Sequence, residues 1–323
     1  MKVVHGLEEY RRRCTPQPTV VAIGTFDGVH RGHQTIIRRA VREAGRLRAR
    51  SLILTFFPHP LNVTSPDRQP ALLTALAHRL RLIGCGHPDI CVVVGFAREF
   101  ARMSPEEFCR DILCGLFQAK AVVVGDRFRF GYKRCGTVVS LRRWADGHQV
   151  QVIALAPQMY AGEAISSTRI RAAVERGDLS AAEQMLGRPF TILGTVVHGD
   201  KRGRTLRYPT MNIDAHQEAM PPKGVYAVRV KAGGRWRRGM LNIGTRPTFE
   251  PRAKKVTLET HVFDFHRSWY GRSVEIEFIC FLRPEKKYAS RAALIRRMQW
   301  DELQARRILA VPGGWRRKSE EHA

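Results

Sequence analysis

The first stretch that could carry chemistry is GTFDGVHRGH, which runs from Gly24 to His33. It follows the apolar run VVAIG and leads into a helical pattern, so we predict a strand-to-helix turn, where unpaired N–H groups favour an anion. Gly24, Gly28 and Gly32 would let the backbone approach a ligand closely. His30 and His33 could stabilise the charge that develops on a phosphoryl group in transfer. We therefore predict a nucleotide phosphate site in preference to a glycine-rich turn with two incidental histidines.

A second stretch, ISSTRIR, offers hydroxyls and arginines at the start of another predicted helix. Its polar residues are Ser166, Ser167, Thr168, Arg169 and Arg171. One hydroxyl is enough to cap a helix, and capping is the alternative interpretation of this stretch. Three hydroxyls with two arginines instead favour an anion site for a triphosphate or its pyrophosphate product.

A third stretch, GTVVHGDKRGRTLRYPTMNI, lies in the C-terminal half. Gly199 and Gly203 belong to a basic loop that could fold over phosphates, although such loops are often plain hairpin turns. Thr210 and Asn212 would project from the same side of an extended strand. A hydroxyl and an amide oxygen suit Mg²⁺. Glu259 lies in an apolar strand pattern, and its residue pattern alone favours an outward-facing carboxylate.

The elements that must position these residues differ between the two halves of the chain. Between residue 19 and about residue 155, apolar β-branched runs alternate with amphipathic stretches, which predicts an open, doubly wound α/β domain with a parallel sheet. The predicted strands are TVVAIG, SLILTFF, DICVVVGF, AKAVVVG and VQVIALA. The predicted helices cover 33–49 and 74–83, begin at Ser104, and cover 165–177.

Beyond about residue 187, apolar and polar residues alternate with period two, which predicts an antiparallel sheet or small barrel. The GG pair at 233–234 predicts a hairpin turn, and a closing helix is predicted over 289–310. The two halves look unrelated, so we predict two domains, 1–186 and 187–323.

Composition restricts the classes of function. The 323 residues carry a net charge of +26, and their arginines are spread in doublets. We interpret this as a general arginine bias that gives no dedicated nucleic-acid partner. No apolar run approaches the ~20 residues of a membrane span, and no signal peptide is evident. The seven cysteines show no zinc-binding spacing. Reduced thiols and a cytoplasmic location are therefore expected.

The motifs together resemble a known family. HxGH after the first strand and SSTxxR in a later helix resemble the nucleotidyltransferase superfamily. With LTFFPHP and VVVGDRFRFG, residues 19–186 resemble the N-terminal module of bacterial bifunctional riboflavin kinase/FAD synthetases. The remainder is similar to the riboflavin kinase module through GDKRGRTLRYPTMN, GVYAV, NIGTRPTF, LETHVFDF and WYG. The resemblance implies a Rossmann-like domain followed by a riboflavin kinase-like β-barrel.

The resemblance also implies substrates and residue roles. ATP would phosphorylate riboflavin to FMN in the C-terminal module, and a second ATP would adenylylate FMN to FAD in the N-terminal module, releasing pyrophosphate. His30, His33 and Glu259 would be catalytic, with Glu259 as general base, and Thr210 and Asn212 would hold Mg²⁺ and the ATP phosphates. The flavin would contact Phe128, Phe130 and Asn242. The nucleotide would contact Gly24, Phe26, Asp27, Gly28, Gly32, Ser166, Ser167, Thr168, Arg171, Gly199, Gly203 and Thr210.

Three motifs depart from the family pattern. Phe57 replaces the acid of TFEPHP, and Arg127 replaces the aspartate of GxDFxFG. In LGFPTAN, Arg207 replaces the glycine and Met211 replaces the alanine. The predicted catalytic and metal-binding residues are all present, so we expect activity in both modules. The alternatives are one inactive module, another phosphorylated acceptor, or a basic nucleic-acid-binding relative without catalysis. An oligomer is compatible with the sequence.

Overall fold

The computed structural model describes residues 1–198, 208–246, 255–265, 269–286 and 288–310. The chain divides into two compact units. One comprises Met1–Leu72 with Leu76–Ser167, and the other comprises Leu73–Ala75 with Thr168–Ala323. The second unit thus begins within the SSTRIR segment. The boundary near residue 186 stays a prediction for the functional modules.

The first unit is built on a six-stranded parallel sheet with the order β1-β4-β3-β2-β5-β8. Its strands, with two short hairpins, are β1 (Lys2–His5), β2 (Thr19–Ile23), β3 (Arg50–Phe57), β4 (Ile90–Gly95), β5 (Ala119–Gly125), β6 (Arg129–Phe130), β7 (Gly136–Thr137), β8 (Gln151–Leu155), β9 (Met159–Tyr160) and β10 (Glu163–Ala164). Its helices are α1 (Leu7–Arg13), α2 (Arg31–Arg46), α3 (Pro60–Thr64), α4 (Leu76–Gly84), α5 (Arg98–Ala101), α6 (Pro105–Glu107), a π-helix over Phe108–Leu116, and α7 (Val138–Asp146). Single 3-10 turns lie at Pro66–Arg68 and Tyr132–Arg134.

The sheet is buried on both faces, as its continuous apolar strands predict. Val21 and Ile23 of β2 join one hydrophobic cluster, while Val20 and Ala22 join the cluster on the opposite face. The chain passes from β2 to β3 and β4 on one side, and then returns to β5 on the other side of β2. This reversal creates a crevice at the carboxyl ends of β2 and β5, where ligands bind in such sheets. The run GTFDGVHRGH begins there.

The five predicted strands and the parallel sheet are confirmed. Helix α2 begins two residues earlier than predicted and ends at Arg46 rather than residue 49. The prediction missed β1 and α1, because KVVH is too short and too exposed to show a buried-strand pattern. Ser104 caps its helix through a reciprocal pair of bonds with Glu107, as the sequence predicts.

The second unit is a closed antiparallel barrel with the order β11-β12-β15-β14-β13-β16. Its strands are β11 (Thr191–Val197), β12 (Met211–Ala215), β13 (Gly224–Ala232), β14 (Arg235–Arg246), β15 (Lys255–Val262) and β16 (Ser273–Arg283). Its helices are α8 (Ser167–Arg176), whose first residue belongs to the other unit, α9 (Leu179–Leu186) and α10 (Arg291–Ala310).

The predicted hairpin turn is confirmed, since Gly233 and Gly234 join β13 to β14 with φ values of 57° and 80°. The closing helix α10 packs against the outside of the barrel with Ala305 and Leu309 buried. Its Asp301, which is 2% exposed, accepts a 2.8 Å bond from Arg283 at the end of β16. The helix is therefore fixed to the barrel by apolar contacts and a largely buried ion pair.

Candidate active sites

The glycine turn, residues 24–29, connects β2 to α2 and has an unusual backbone. Phe26 and Val29 have φ values of 50° and 40°, and Gly28 has a φ of 78°. Phe26 is fully buried, and its ring lies under Gly24, where an added Cβ would approach the Phe26 Cζ atom to 3.2 Å. Gly24 thus makes room for a buried ring, in addition to the ligand-approach role predicted for it. The turn is held in a conformation that only surrounding structure can impose.

His30 and His33 lie together at the start of α2. His30 is the N-cap, and its Nδ1 atom accepts a bond from the His33 N–H at 3.3 Å. The two rings are stacked with centroids 3.6 Å apart. An added Cβ at Gly32 would lie 3.1 Å from the His30 ring. Gly32 therefore leaves space for the His30 side chain to fold back over the helix start.

The His33 ring is enclosed on several sides. The Phe26 ring meets it edge-on at 5.2 Å. Burial lowers the pKa of His33 well below its ordinary value, and the neighbouring His30 and Arg79 charges lower it further. Its Nδ1 atom is buried and has no hydrogen-bond partner among the described residues. His33 is therefore a neutral imidazole with one ring nitrogen left for another partner.

Carbonyl groups of the glycine turn are bound by protein donors. Thr55 Oγ1 donates to the Thr25 carbonyl at 3.1 Å, and Gln34 Nε2 donates to the Val29 carbonyl at 2.9 Å. Ser167 Oγ donates to the carbonyl of Asp27 at 2.9 Å. The structure thus brings Ser167, from the second predicted stretch, to the first.

The other nucleotide ligands predicted for the N-terminal module have different surroundings. Asp27 is 1% exposed. Ser166 directly precedes α8, while Thr168 and Arg171 lie on α8 in the second compact unit. Their contacts with a nucleotide stay predictions.

The predicted flavin residues of the first unit form an aromatic pair. The Phe128 and Phe130 rings are stacked with centroids 5.5 Å apart. Phe130 is 8% exposed and belongs to the core, while Phe128 is partly buried against it. Phe128 therefore offers more surface to a flavin than Phe130 does. Phe57 and Arg127, which depart from the family pattern, are both exposed.

The predicted site residues of the barrel form a row across three adjacent strands. Asn212 of β12 pairs in register with Glu259 of β15, which pairs in turn with Asn242 of β14. Their neighbours Ile213, Leu258 and Ile243 are buried, whereas the three polar residues are half-buried. Since side chains alternate across a strand, this polar row lies on the outer face of the barrel. The structure thus brings together a predicted metal ligand, the predicted base and a predicted flavin contact.

Thr210 lies just before β12, where neighbouring groups fix the chain. His261 Nδ1 donates to the Pro209 carbonyl at 2.9 Å. Tyr208 is buried, and burial together with a hydrogen bond to Glu302 raises its pKa to about 12. These contacts fix the segment that leads Thr210 into β12. The predicted ligands Gly199 and Gly203, and the departing residue Arg207, lie outside the described residues.

A cavity of about 450 Å³ adjoins the polar row. Asn212, Asp214, Glu218 and Thr257 are among the residues that line it. Its volume lies within the range of small-molecule sites. Asn212 thus belongs to both the row and a cavity that could admit part of a substrate.

Two charged residues near the candidate sites were not predicted from the sequence. The Glu285 carboxylate would lie 2.8 Å from a Cβ at Gly244, where Asn242 and Thr257 also converge. Arg79 is fully buried in α4, and its Nη1 atom donates to the carbonyls of Thr25 and Phe56. Neither residue lies in a glycine-rich or hydroxyl-rich run, so only tertiary structure identifies them.

Within the described ranges, no group of three or more His, Cys, Asp or Glu side chains could hold a metal ion. The Thr210 hydroxyl and the Asn212 amide oxygen remain as neutral oxygen donors next to the Glu259 position. Such a donor set suits Mg²⁺, which is usually bound by few protein groups together with substrate phosphates and water. The residues present therefore fit a nucleotide-associated magnesium ion.

Comparison with known proteins identifies two family models. The model described as FAD synthetase matches residues 13–169, and the model described as riboflavin kinase matches residues 186–309. A bifunctional riboflavin kinase/FMN adenylyltransferase from Listeria monocytogenes is 40% identical over 293 residues, which covers 90% of this chain and 92% of that protein. A protein of the same name from Escherichia coli is 36% identical over 313 residues and covers 96% and 99%.

A solved structure from Streptococcus pneumoniae, named as a macrolide-efflux protein, has the same fold. Its TM-score is 0.83 at 29% identity, with 95% of this chain and 99% of that chain covered. That name denotes a different activity from those of the sequence relatives. Among the described residues of this chain, no helix combines the length and apolar character needed to cross a membrane.

Proposed function

Because the chain belongs to the bifunctional riboflavin kinase/FMN adenylyltransferase family, we propose that its N-terminal module converts FMN to FAD and its C-terminal module converts riboflavin to FMN. One observation supports this assignment above the others. Each half of the chain gathers its own predicted catalytic groups, with His30 and His33 stacked at the start of α2 and Glu259 in the polar row.

In the adenylyl transfer, a phosphate oxygen of FMN attacks the α-phosphorus of ATP. The new P–O bond forms FAD, and the bond between the α-phosphorus and its bridging oxygen breaks to release pyrophosphate. His30 and His33 stabilise the charge on the α-phosphoryl group through ring N–H donors. Ser166, Ser167, Thr168 and Arg171 bind the departing pyrophosphate. No covalent enzyme intermediate is required, because positioning and charge stabilisation suffice.

In the kinase reaction, Glu259 accepts the proton of the riboflavin 5′-hydroxyl while its oxygen attacks the γ-phosphorus of ATP. ADP leaves with the electron pair of the broken P–O bond. Asn242, next to Glu259 on β14, contacts the flavin. The cavity beside Asn212 receives part of a substrate.

Thr210 and Asn212 hold Mg²⁺ in this proposal. When bound, the ion neutralises charge on the ATP phosphates. The two protein oxygens belong to a segment that is fixed by Tyr208 and His261. Gly199 and Gly203 are proposed to cover the same phosphates.

The cysteines and the small substrates bear on the proposed location and partners of the protein. All seven cysteines are free thiols, which supports a reducing compartment, and we assign the protein to the cytoplasm. Its partners are ATP, riboflavin and FMN, without a dedicated nucleic-acid partner.

The experiment incubates the full chain with riboflavin, ATP and Mg²⁺ and separates FMN and FAD by chromatography. Both products are expected. When FMN replaces riboflavin, FAD should form without the kinase reaction. If neither flavin is modified while ATP is present, the proposal is wrong. Replacing FMN with nicotinamide mononucleotide or phosphopantetheine tests the acceptor, and product from either of these but not from FMN would assign another substrate.

A further inference from the structure

The strongest unexplained feature of the first unit is a buried arginine. Arg79 belongs to α4, is 0% exposed, and ranks among the largest side chains that are fully buried. Its Nη1 atom donates to the Thr25 carbonyl at 3.0 Å and to the Phe56 carbonyl at 3.2 Å. Thr25 belongs to the glycine turn, and Phe56 lies near the carboxyl end of β3. One guanidinium nitrogen therefore links the turn to the neighbouring strand.

The remaining nitrogens of Arg79 are poorly satisfied. Nε and Nη2 are buried and have no hydrogen-bond partner in the part of the chain that the structure describes. Burial lowers the pKa of Arg79, and the negative charge of Asp27 opposes that change. A buried cation with unpaired N–H groups is destabilising compared with an apolar side chain of similar size. Stability alone therefore does not account for arginine at this position.

Its contacts point to the reaction site. The carbonyl that Arg79 binds is two residues from Asp27 and five residues from His30, in the turn that leads to the stacked histidines. Thr55 supplies a second donor to the same carbonyl, so the turn is fixed by a charged and a neutral group together. The positive charge also acts on His33, whose other charged neighbour is His30.

We propose that Arg79 is a positioning residue for adenylyl transfer. It fixes the glycine turn that leads to His30 and His33 through the Thr25 and Phe56 carbonyls. This inference rests on the proposed function and assigns to that site a residue outside both of its sequence motifs. Asp27 is the acidic group whose charge compensates Arg79 within this cluster.

The test uses the full chain with FMN and ATP and compares R79M, R79K and R81M. R79M keeps an apolar side chain in the core but removes the charge and the donor, and we expect kcat for FAD formation to fall roughly 100-fold. R79K keeps the charge without the planar fork, and we expect a roughly tenfold loss. R81M changes an exposed arginine of the same helix and should stay within about twofold.

The pH profile separates positioning from a merely structural role. Removal of the charge raises the pKa of His33, so R79M should lose about threefold more activity between pH 8 and pH 5.5 than the wild type and R79K. Riboflavin phosphorylation by the same samples checks the barrel, and thermal unfolding checks the folding of the first unit. If R79M does not fold, the kcat of R79K decides the question: a roughly tenfold loss in a stably folded R79K supports positioning, and a wild-type kcat overturns it.

Two results would overturn the inference. One is that R79K and R79M both form FAD with the kcat of the wild type. The other is that R79M loses FAD-forming activity only in proportion to its loss of thermal stability. In that case R79K would be fully active, and the low-pH side of the R79M pH profile would match that of the wild type. Absence of FAD formation in the wild type would instead reject the proposed function, so the two failures are distinguishable.

Discussion

The two candidate sites use their chain segments in opposite ways. The candidate adenylyl-transfer site is a backbone turn with positive φ at Phe26 and Val29, where Phe26 and His30 are buried and His33 is half-buried. The kinase site is a row of half-buried side chains, Asn212, Glu259 and Asn242, on regular strands. The first site depends on the conformation of one turn. The second depends on the register of three strands.

This difference determines how each site should respond to substitution. A change in the turn displaces several groups at once, because Phe26, His30 and His33 contact one another. A change in the row removes one side chain and leaves the barrel backbone in place. Substitutions in the row should therefore show the chemistry of single groups, whereas those in the turn combine chemistry with geometry.

The largest expected effect is loss of the proposed kinase base. E259Q keeps the size and hydrogen-bonding capacity of the side chain but removes the carboxylate that is proposed to accept the proton. We expect FMN formation from riboflavin to fall by about 10²–10⁴-fold, the usual contribution of a general base. FAD formation from supplied FMN should stay within about twofold. Quantification of both flavins by chromatography provides the measurement.

Asp264 supplies a control, since it is an exposed acid two residues beyond the end of β15, the strand that carries Glu259, and its carboxylate binds Arg306. D264N should retain kinase activity within about threefold. Equal losses in E259Q and D264N would mean that the row responds to net charge rather than to one base. The contrast between the two sites would then be wrong.

The next effect concerns the first histidine. His30 both caps α2 and faces the proposed phosphate, so H30A would combine two losses. H30N retains a side chain that can cap a helix, and it isolates the chemical contribution. We expect H30N to lower FAD formation by about 10²–10³-fold, as for the loss of one charge-stabilising donor. FMN formation from riboflavin should be unaffected.

Thermal unfolding of H30N and H30A serves as the structural check. H30A should melt at a lower temperature than H30N because it lacks the cap. Loss of both flavin activities in H30N would contradict the assignment of separate sites.

The sequence predicted more of the row than of the turn. Alternation predicts an outward Glu259 and places Asn212 on the same side as Thr210, whereas Asn242 came from the family resemblance. The pairing of the three strands is given by the register of the barrel. The motif around His30 was equally visible, but two physical features were not. Gly24 and Gly32 make room for the Phe26 and His30 rings, and such contacts depend on side-chain directions that spacing does not give. Arg79 comes from α4, whose pattern is that of an ordinary amphipathic helix.

A pair of glycine substitutions compares backbone tolerance directly. The Cβ of G24A would press on the buried Phe26 ring at 3.2 Å, which cannot move without disturbing His33. We expect a roughly tenfold loss of FAD formation. The Cβ of G244A would meet the end of the exposed Glu285 side chain, which can turn aside. The Asn242 amide at 3.3 Å and the Thr257 hydroxyl at 3.4 Å would have to shift by only a few tenths of an ångström. FMN formation should therefore change by less than about threefold. The reverse order of sensitivity would reject the view that the turn is the less tolerant site.

The smallest expected effect tests how deeply the turn buries its second histidine. A histidine with an ordinary pKa of about 6.5 would become mostly protonated at pH 5.5. Burial keeps the pKa of His33 well below that value, with help from His30 and Arg79, so protonation of its ring should require a more acidic solution.

Imidazole nitrogen chemical shifts of the ligand-free protein measure the protonation of His33 without interference from substrate phosphates, which titrate near pH 6. H33N assigns the resonance. Between pH 7 and pH 5.5 the His33 signals should change by a smaller part of their titration range than those of a histidine with the ordinary pKa. A midpoint near 6.5 would mean that water reaches the ring, and the turn would then be as open as the row on the barrel.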